Sequence, residues 1–390
     1  MTISRDIVIV GGGPVGATLA LALHENGIAS TLLEARQRGT SHQDQRALAL
    51  SFGTRLILER LGIWPQLSSK ATAINTIHIS QRGSFGRTLL KAEDHGQEAL
   101  GYVLSYGALS QALDDALSGC HSVEVLHGAE ATEILPDDDA ATVTFNHEGI
   151  ITTYRAPLLV LADGGRSLGD IPGLNRETRE YGHDALVAKV QAELPHNHIA
   201  YERFTPSGPA ALLPNGAHDF SLVWTGRREE VAAVMQLDDA AFLLALHQHF
   251  GDRVGRFLKV GKRLAFPLRL SRLNPVAARH LVVIGNAAQT MHPVAGQGFN
   301  VGLRDAWELA DLIAESPVGQ LGTETMLKTY ADNRRTDTKN GLLFTDFLVN
   351  LFSNDVLGVS PLRALGLGAL DLIKPAKHHL VRKMSFGPRG

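Results

Sequence analysis

Apolar residues recur along this chain in patterns that predict strands handing over to helices through glycine. In "DIVIVGGGPVGATLALALHENGIASTLLEA" the β-prone run Ile7 to Val10 meets glycines, helical composition follows from Ala17 to Glu25, Gly27 breaks it, and "STLLEA" reads as a second strand. Two later segments repeat the strand-to-glycine junction. "APLLVLADGGRSLGD" ends an apolar run at Asp163-Gly164. "HLVVIGNAAQTMHPVAGQGFN" ends another at Gly285-Asn286, ahead of "LRDAWELADLI", whose apolar spacing is helical. Between them, "HIAYERFTPSGPAALLPN" and "DFSLVWTGR" alternate as antiparallel strands do. The pattern predicts an α/β fold: a Rossmann-like unit interrupted by an antiparallel sheet. No internal repeat or low-complexity linker separates the parts, so the domains are expected to interleave.

Composition narrows the function classes. The 390 residues, 44% hydrophobic and 20% charged, suit two or three globular domains. A net charge of -3 supplies no global basic field, so nucleic acid is not an expected partner. Cys120 is the only cysteine, which excludes an internal disulfide framework and a cysteine metal site and suits a reducing, cytoplasmic setting. The apolar run after Asp6 is too short for a signal-peptide core. Asp346, Asp355, Arg363 and Asp371 interrupt the apolar C-terminal region, so no membrane-spanning helix is expected.

The first junction carries the strongest chemistry. Gly11, Gly13 and Gly16 satisfy G-x-G-x-x-G between a strand and a helix. Gly11 allows the turn, Gly13 lets a diphosphate approach the backbone, Gly16 lets helix and strand pack closely, and the helix N-terminus faces the negative charge. Glu34 closes the second strand at the spacing of a ribose-binding carboxylate. This fingerprint suits NAD and FAD alike. The two further strand-end junctions suggest a longer ligand, with a ribityl chain and ring beyond the diphosphate, and FAD has that length. The glycine-rich loop before a helix starting near Gly298 would present backbone N–H groups and a positive helix end to the flavin pyrimidine. Pro293 would stiffen the approach, and Asn300 is a candidate polar contact in the first helical turn.

Together "GGGPVGA", "DQRALALS", "ADGGRS" and "GNAAQTMHPVAGQGFNVGLRD" resemble the class A flavoprotein aromatic hydroxylases, from residue 5 to about 310. "ERFTPSGPAALLP" and the last of these further resemble the ubiquinone-biosynthesis branch, nearest its 2-polyprenyl-6-methoxyphenol hydroxylases. The resemblance implies a p-hydroxybenzoate hydroxylase-like fold. Residues 1–75, 100–175 and 270–320 would form a discontinuous FAD-binding domain, 76–99 and 176–269 a substrate domain, and 321–390 a C-terminal helical region with a basic tail. It places Gly11, Gly13, Pro14, Gly16 and Glu34 at the ADP end of FAD, with Arg46 and Gln111 as polar contacts. Asp163 and Gly164 match a motif shared between FAD and pyridine-nucleotide handling. Pro293, Gly296, Gln297, Gly298 and Asn300 match the loop beside the isoalloxazine. Gly285-Asn286 stands where the family carries Gly-Asp, and asparagine still accepts a hydrogen bond from a ribityl hydroxyl. The arginine often found near Tyr106 in the wider family is absent.

The implied chemistry is a cycle in which NAD(P)H reduces FAD, O2 adds to give a flavin hydroperoxide, and the distal oxygen attacks an electron-rich phenol ring. The cofactor carries the hard step, which agrees with a sequence that shows no catalytic triad or metal constellation. The implied substrate is a polyprenylated methoxyphenol on the way to ubiquinone. The residue patterns also leave open a hydroxylase of a small soluble aromatic, an FAD-dependent oxidase or reductase, and a flavin-binding scaffold within a biosynthetic complex. Phe204, Pro214 and Trp224 are candidates for an apolar substrate pocket, with simple sheet core as the alternative. His292, inside the flavin loop, is a candidate for proton transfer or for holding that loop. His196, His198, His378 and His379 lack further ligands at metal spacing. After Asp371 the chain has five Lys or Arg and no acid. Such a tail is either solvated or a peripheral contact to anionic lipid at the inner membrane, where each basic residue contributes about 1 kcal/mol.

Overall fold

The computed structural model describes residues 2–82, 86–169, 171–205, 208–290, 297–317, 319–335, 371 and 373–387. Its nucleotide-side centre is a six-stranded sheet in the order Ala277–Ala278, Leu281–Val283, Leu158–Leu161, Ile7–Val10, Ser30–Glu34, Val123–His127. Every pairing from Leu281–Val283 to Val123–His127 is parallel. A parallel sheet is covered on both faces, which is why its strands are continuous apolar runs. Ile7 and Ile9 pack with Leu19, Leu23, Leu303 and Ala306 of helices Pro14–Glu25 and Gln297–Glu315. Val8 and Val10 point the other way, onto Val143, Phe145 and Tyr154 of a four-stranded sheet made of Thr2–Ser4, Ile150–Ala156, Ala141–His147 and Ala129–Pro136.

The largest sheet runs Gln289–Thr290, Leu264–Leu273, Arg176–Ala192, Asp219–Arg227, Gly208–Pro214, Ile199–Thr205, Thr76–Gln81, Arg87–Lys91, with Phe257–Val260 paired beside Arg176–Ala192. Its two faces differ because side chains alternate along each strand. On one face Ala210, Leu212, Phe220 and Leu222 are sealed by Val231, Phe242, Leu246 and Phe250 of helices Arg228–Met235 and Asp239–Phe250. On the other, Ala200, Ile77 and Leu213 pack on Ala47, Ile74 and Val103. Those three belong to a small sheet of Ala47–Ser51, Gly101–Ser105 and Thr72–Ile74, which joins the large sheet to the nucleotide side.

The last described helix, Lys374–Phe386, docks on the body. Val381 packs with Leu90, Ala92 and Leu100, the Phe386 ring meets Phe52 edge-on at 6.0 Å, and Lys377 pairs with Asp371 at 2.6 Å. Much of the basic tail is therefore a helix packed on the body, with Lys374 and Arg382 on its exposed side. Among the described residues no helix is long and apolar enough to cross a membrane.

Candidate active site

The glycine turn is shaped by what surrounds each Cα. Gly11 has φ +106° and its N–H donates to Leu33 O at 2.8 Å; a Cβ there would lie 2.6 Å from the Asp163 backbone, so this is where two strand ends converge. A Cβ on Gly16 would sit 2.0 Å from Gly11 O. Gly13 is different: a Cβ there would meet nothing of the protein closer than Tyr106 Oη at 3.7 Å. Gly13 is also the N-cap of Pro14–Glu25, has no side chain to cap it, and is followed by Pro14 at the first helical position. The helix thus presents an uncapped, electropositive end beside an open Cα, which is a site for an anion.

Glu34, at the end of its strand, accepts from Gly12 N at 2.8 Å through Oε2 and from Arg36 N and Nε at 2.9 and 2.8 Å through Oε1. Burial alone would raise its pKa, but the hydrogen bonds from Arg36 and Gly12 and the Arg36 charge outweigh that and hold the carboxyl below its ordinary range. Arg36 itself was not evident in the sequence, although it follows Glu34 by two residues. Its pKa is raised by Glu34 and Tyr106, and Arg46 stands 5.3 Å over the Tyr106 ring. The segment after the second strand therefore brings two cations to Tyr106, the first residue of helix Tyr106–Leu117. Arg46 is also held by Asp44, at 2.6 Å. Gln111 lies exposed on that helix.

The other two junctions meet nearby. Asp163 folds onto its own loop, accepting from Gly165 N at 2.8 Å and Ser167 N at 2.6 Å, while Gly164 is exposed. Gly285 has φ +63° and donates to Asp305 Oδ2 at 2.9 Å, and the Asn286 side chain is exposed beside it. Arg176, from the large sheet, reaches Ala287 O at 3.3 Å and passes close to Gly165, bridging both turns. Asp305 is 2% exposed and pairs with Arg334, also 2% exposed, at 2.6 Å. A charged residue on the buried stripe of an amphipathic helix was the available sign of this pair.

Some expectations change. Asn300, expected to touch the flavin, has its amide turned inward: Oδ1 accepts from Ser51 N and Thr54 Oγ1, both at 2.8 Å, and Nδ2 donates to Ala49 O at 2.9 Å. It ties the start of helix Gln297–Glu315 to strand Ala47–Ser51. Pro214 and Trp224 lie on the helix-covered face of the large sheet, since Gly208–Pro214 and Asp219–Arg227 pair Pro214 with Phe220 and Ala210 with Trp224. Trp224 packs 4.7 Å from His249 and 6.3 Å from Phe242, in register with the core. A cavity of about 280 Å³ beside Trp224 lies behind the sheet, among Leu186, Val231, Val234 and His249. Phe204, 2% exposed, points to the opposite face, toward the nucleotide side. His196 and His198 are spent on the backbone carbonyls of Gly216 and Ala73. Gly298, in the first turn of helix Gln297–Glu315, has open space around its Cα. Gln297 is the first residue of that helix. His292, Pro293 and Gly296 lie outside the described residues.

Known proteins place this architecture. The solved structure of p-nitrophenol 4-monooxygenase PnpA from Pseudomonas putida superposes with a TM-score of 0.79 at 19% identity, covering 100% of both chains. PqsL, described as a probable FAD-dependent monooxygenase of Pseudomonas aeruginosa, gives 0.73 at 22%, covering 94% of this chain and 99% of that one. The ubiquinone hydroxylase UbiL of Rhodospirillum rubrum is 35% identical over 98% of this chain and 91% of its own length. The 3-demethoxyubiquinol 3-hydroxylase of Escherichia coli is 28% identical over 94% of each. The model of the FAD binding domain family matches residues 4–342. This chain belongs to that family and is an FAD-dependent monooxygenase.

Proposed function

We propose that this enzyme hydroxylates a polyprenylated methoxyphenol in ubiquinone biosynthesis, inserting one atom of O2 into the ring while NAD(P)H supplies two electrons and the second oxygen leaves as water. The observation that carries the reading is the 35% identity with a ubiquinone hydroxylase across 98% of the chain, strand Ile199–Thr205 and its neighbours included.

The residues fit FAD. The uncapped helix end with an open Gly13 takes the diphosphate, Glu34 accepts from the adenosine ribose, and Arg36 and Arg46 add positive charge around Tyr106. The 163–167 and 285–287 turns, linked by Arg176, would hold the ribityl chain. The positive end of the helix that starts at Gln297 would stabilise negative charge on the flavin ring. FAD, when bound, supplies the activation of O2. The chain's own part is to orient the phenol, exclude water and manage the phenol proton. Contact with a biosynthetic complex, and with a membrane through the exposed side of Lys374–Phe386, completes the proposal, since a polyprenyl substrate resides in lipid.

Gly13→Ala and Gly298→Ala test the site without crowding the protein, because neither methyl would meet a protein atom closer than 3.7 Å. In cells lacking this protein, mass spectrometry of quinone intermediates should show a polyprenyl-methoxyphenol accumulating. The intact gene should clear it and the double variant should not. Unchanged quinone levels in the deletion would remove the ubiquinone assignment and leave a hydroxylase of some other aromatic.

A further inference from the structure

Strand Ile199–Thr205 carries a carboxyl that nothing above uses. Register places Glu202 between Ile79 on one neighbouring strand and Ala211 on the other, and Ala211 in turn opposes Val223. The row continues through Val187 to Leu264. Directly paired residues share a face, so Glu202 is the one ionisable group in a row of five apolar side chains. That face is the one turned toward the nucleotide side. One step along the same strands Ala200, Ile77 and Leu213 meet Ala47, and strand Ala47–Ser51 is bound by Asn300 to the start of the helix directed at the flavin. Glu202 thus lies on the face of the large sheet that looks toward the nucleotide side.

Its environment is unlike that of a structural carboxylate. Among the described residues, Glu202 has neither a hydrogen-bond nor an ion-pair partner. It is intermediate in exposure, yet the protein around its carboxyl pushes its pKa up to about 8, and burial is the whole cause. Among the described residues no charged group offsets it. The ionisable neighbours His78, Tyr201 and Arg203 lie one residue out of step, on the opposite face, where His78 and Tyr201 stack at 5.7 Å and Arg203 donates to Phe250 O. On the nucleotide side, the row next to it, Ala200, Ile77 and Leu213, faces Ala47, Ile74 and Val103 of the small sheet. An unpaired acid in an apolar row costs stability unless a ligand completes it.

We propose that Glu202 is the catalytic base of hydroxylation, receiving the hydrogen bond and then the proton of the substrate's phenol hydroxyl. The inference rests on the phenol reading above. In the step, the phenol O–H bond breaks, a carboxyl O–H bond forms, and the electron pair stays on the phenolate oxygen, from which it raises the nucleophilicity of the ortho and para carbons. One negative charge is present before and after. The apolar row thus exchanges one buried anion for another, and the neutral acid left behind can donate a hydrogen bond to the phenolate. A base that titrates close to working pH is matched to this task.

The test uses FAD-loaded enzyme and a 2-methoxyphenol bearing one short prenyl chain. Product formation, NAD(P)H oxidation and the phenol difference spectrum are followed against pH for the intact enzyme, Glu202→Gln and Glu202→Asp. The intact enzyme should show an acid limb in kcat/KM near pH 8 and a phenolate signal on binding. The Gln variant should retain FAD, lose both features and form product about 10²–10⁴-fold more slowly. The Asp variant should recover part of the rate with a shifted limb, which keeps the test open if Gln fails to fold. A Gln variant that matches the intact enzyme in rate and limb overturns the assignment of Glu202. An intact enzyme that forms no hydroxylated phenol overturns the phenol reading itself.

Discussion

Glu34 and Glu202 both sit on strands, and the two ends of the molecule treat them oppositely. At the nucleotide end, backbone N–H groups and Arg36 surround Glu34, and its pKa falls despite burial. On the large sheet, Glu202 lies in a row of apolar residues, and burial lifts it to about 8. The difference shows how one side chain becomes a permanent acceptor in one place and a proton exchanger in another. What decides it is the presence or absence of partners.

Asp305 gives the strongest way to break the comparison, as a carboxylate more buried than either. If partners are what make burial tolerable, Asp305→Ala, which takes the acceptor from Gly285 N and leaves Arg334 with Glu308, should cost about 3 kcal/mol in denaturant unfolding. A loss under 1 kcal/mol would mean that partners matter less than supposed.

Glu202→Gln should do the reverse and stabilise the protein. Because the folded pKa of Glu202 lies above its unfolded value, its contribution is intact below about pH 4.5 and is lost progressively as pH rises to about 8. The Gln variant should therefore match the parent near pH 4 and exceed it by on the order of 3 kcal/mol at pH 7, read from unfolding curves at both pH values. A gain in stability together with a loss of activity is the signature of a functional group held at a cost.

Glu34 has the opposite sign. Its folded pKa is depressed, so its stabilisation is present above the unfolded value and disappears as pH falls through the folded one. Glu34→Gln should weaken FAD retention by roughly tenfold, about 1.4 kcal/mol, by removing a charged acceptor from Arg36 and Gly12. Fluorescence of released flavin measures it. The smallest effect belongs to the pair Lys377 and Asp371, nearer the surface: Lys377→Ala should change thermal stability by under about 1 kcal/mol, and less in high salt.

The nucleotide end was readable because its chemistry is local. Gly11, Gly13, Gly16 and Glu34 lie within one strand–helix–strand unit, and the turn, the helix end and the carboxylate come together whatever the rest of the chain does. The substrate sheet was not, because its alternation reveals two faces but not which one looks toward the nucleotide side. Trp224 and Pro214, which the alternation leaves as either pocket or sheet core, lie on the helix-covered face, while Glu202, hidden inside "HIAYERF", lies on the other. Asn300 was placed in the correct turn, but its amide went to Ser51, Thr54 and Ala49, roughly 250 residues away in sequence.

By itself the sequence determined the α/β class, the glycine junctions and the family, since short-range geometry and apolar periodicity are properties of neighbouring residues. Only the tertiary structure decided that Arg36, Arg46 and Tyr106 share one corner, that Asp305 finds Arg334, and that Glu202 has no partner among the described residues on the sheet face turned toward the nucleotide side. These depend on which distant strands exclude water from which side chain. A charge's state is set by that enclosure, and no local pattern records it.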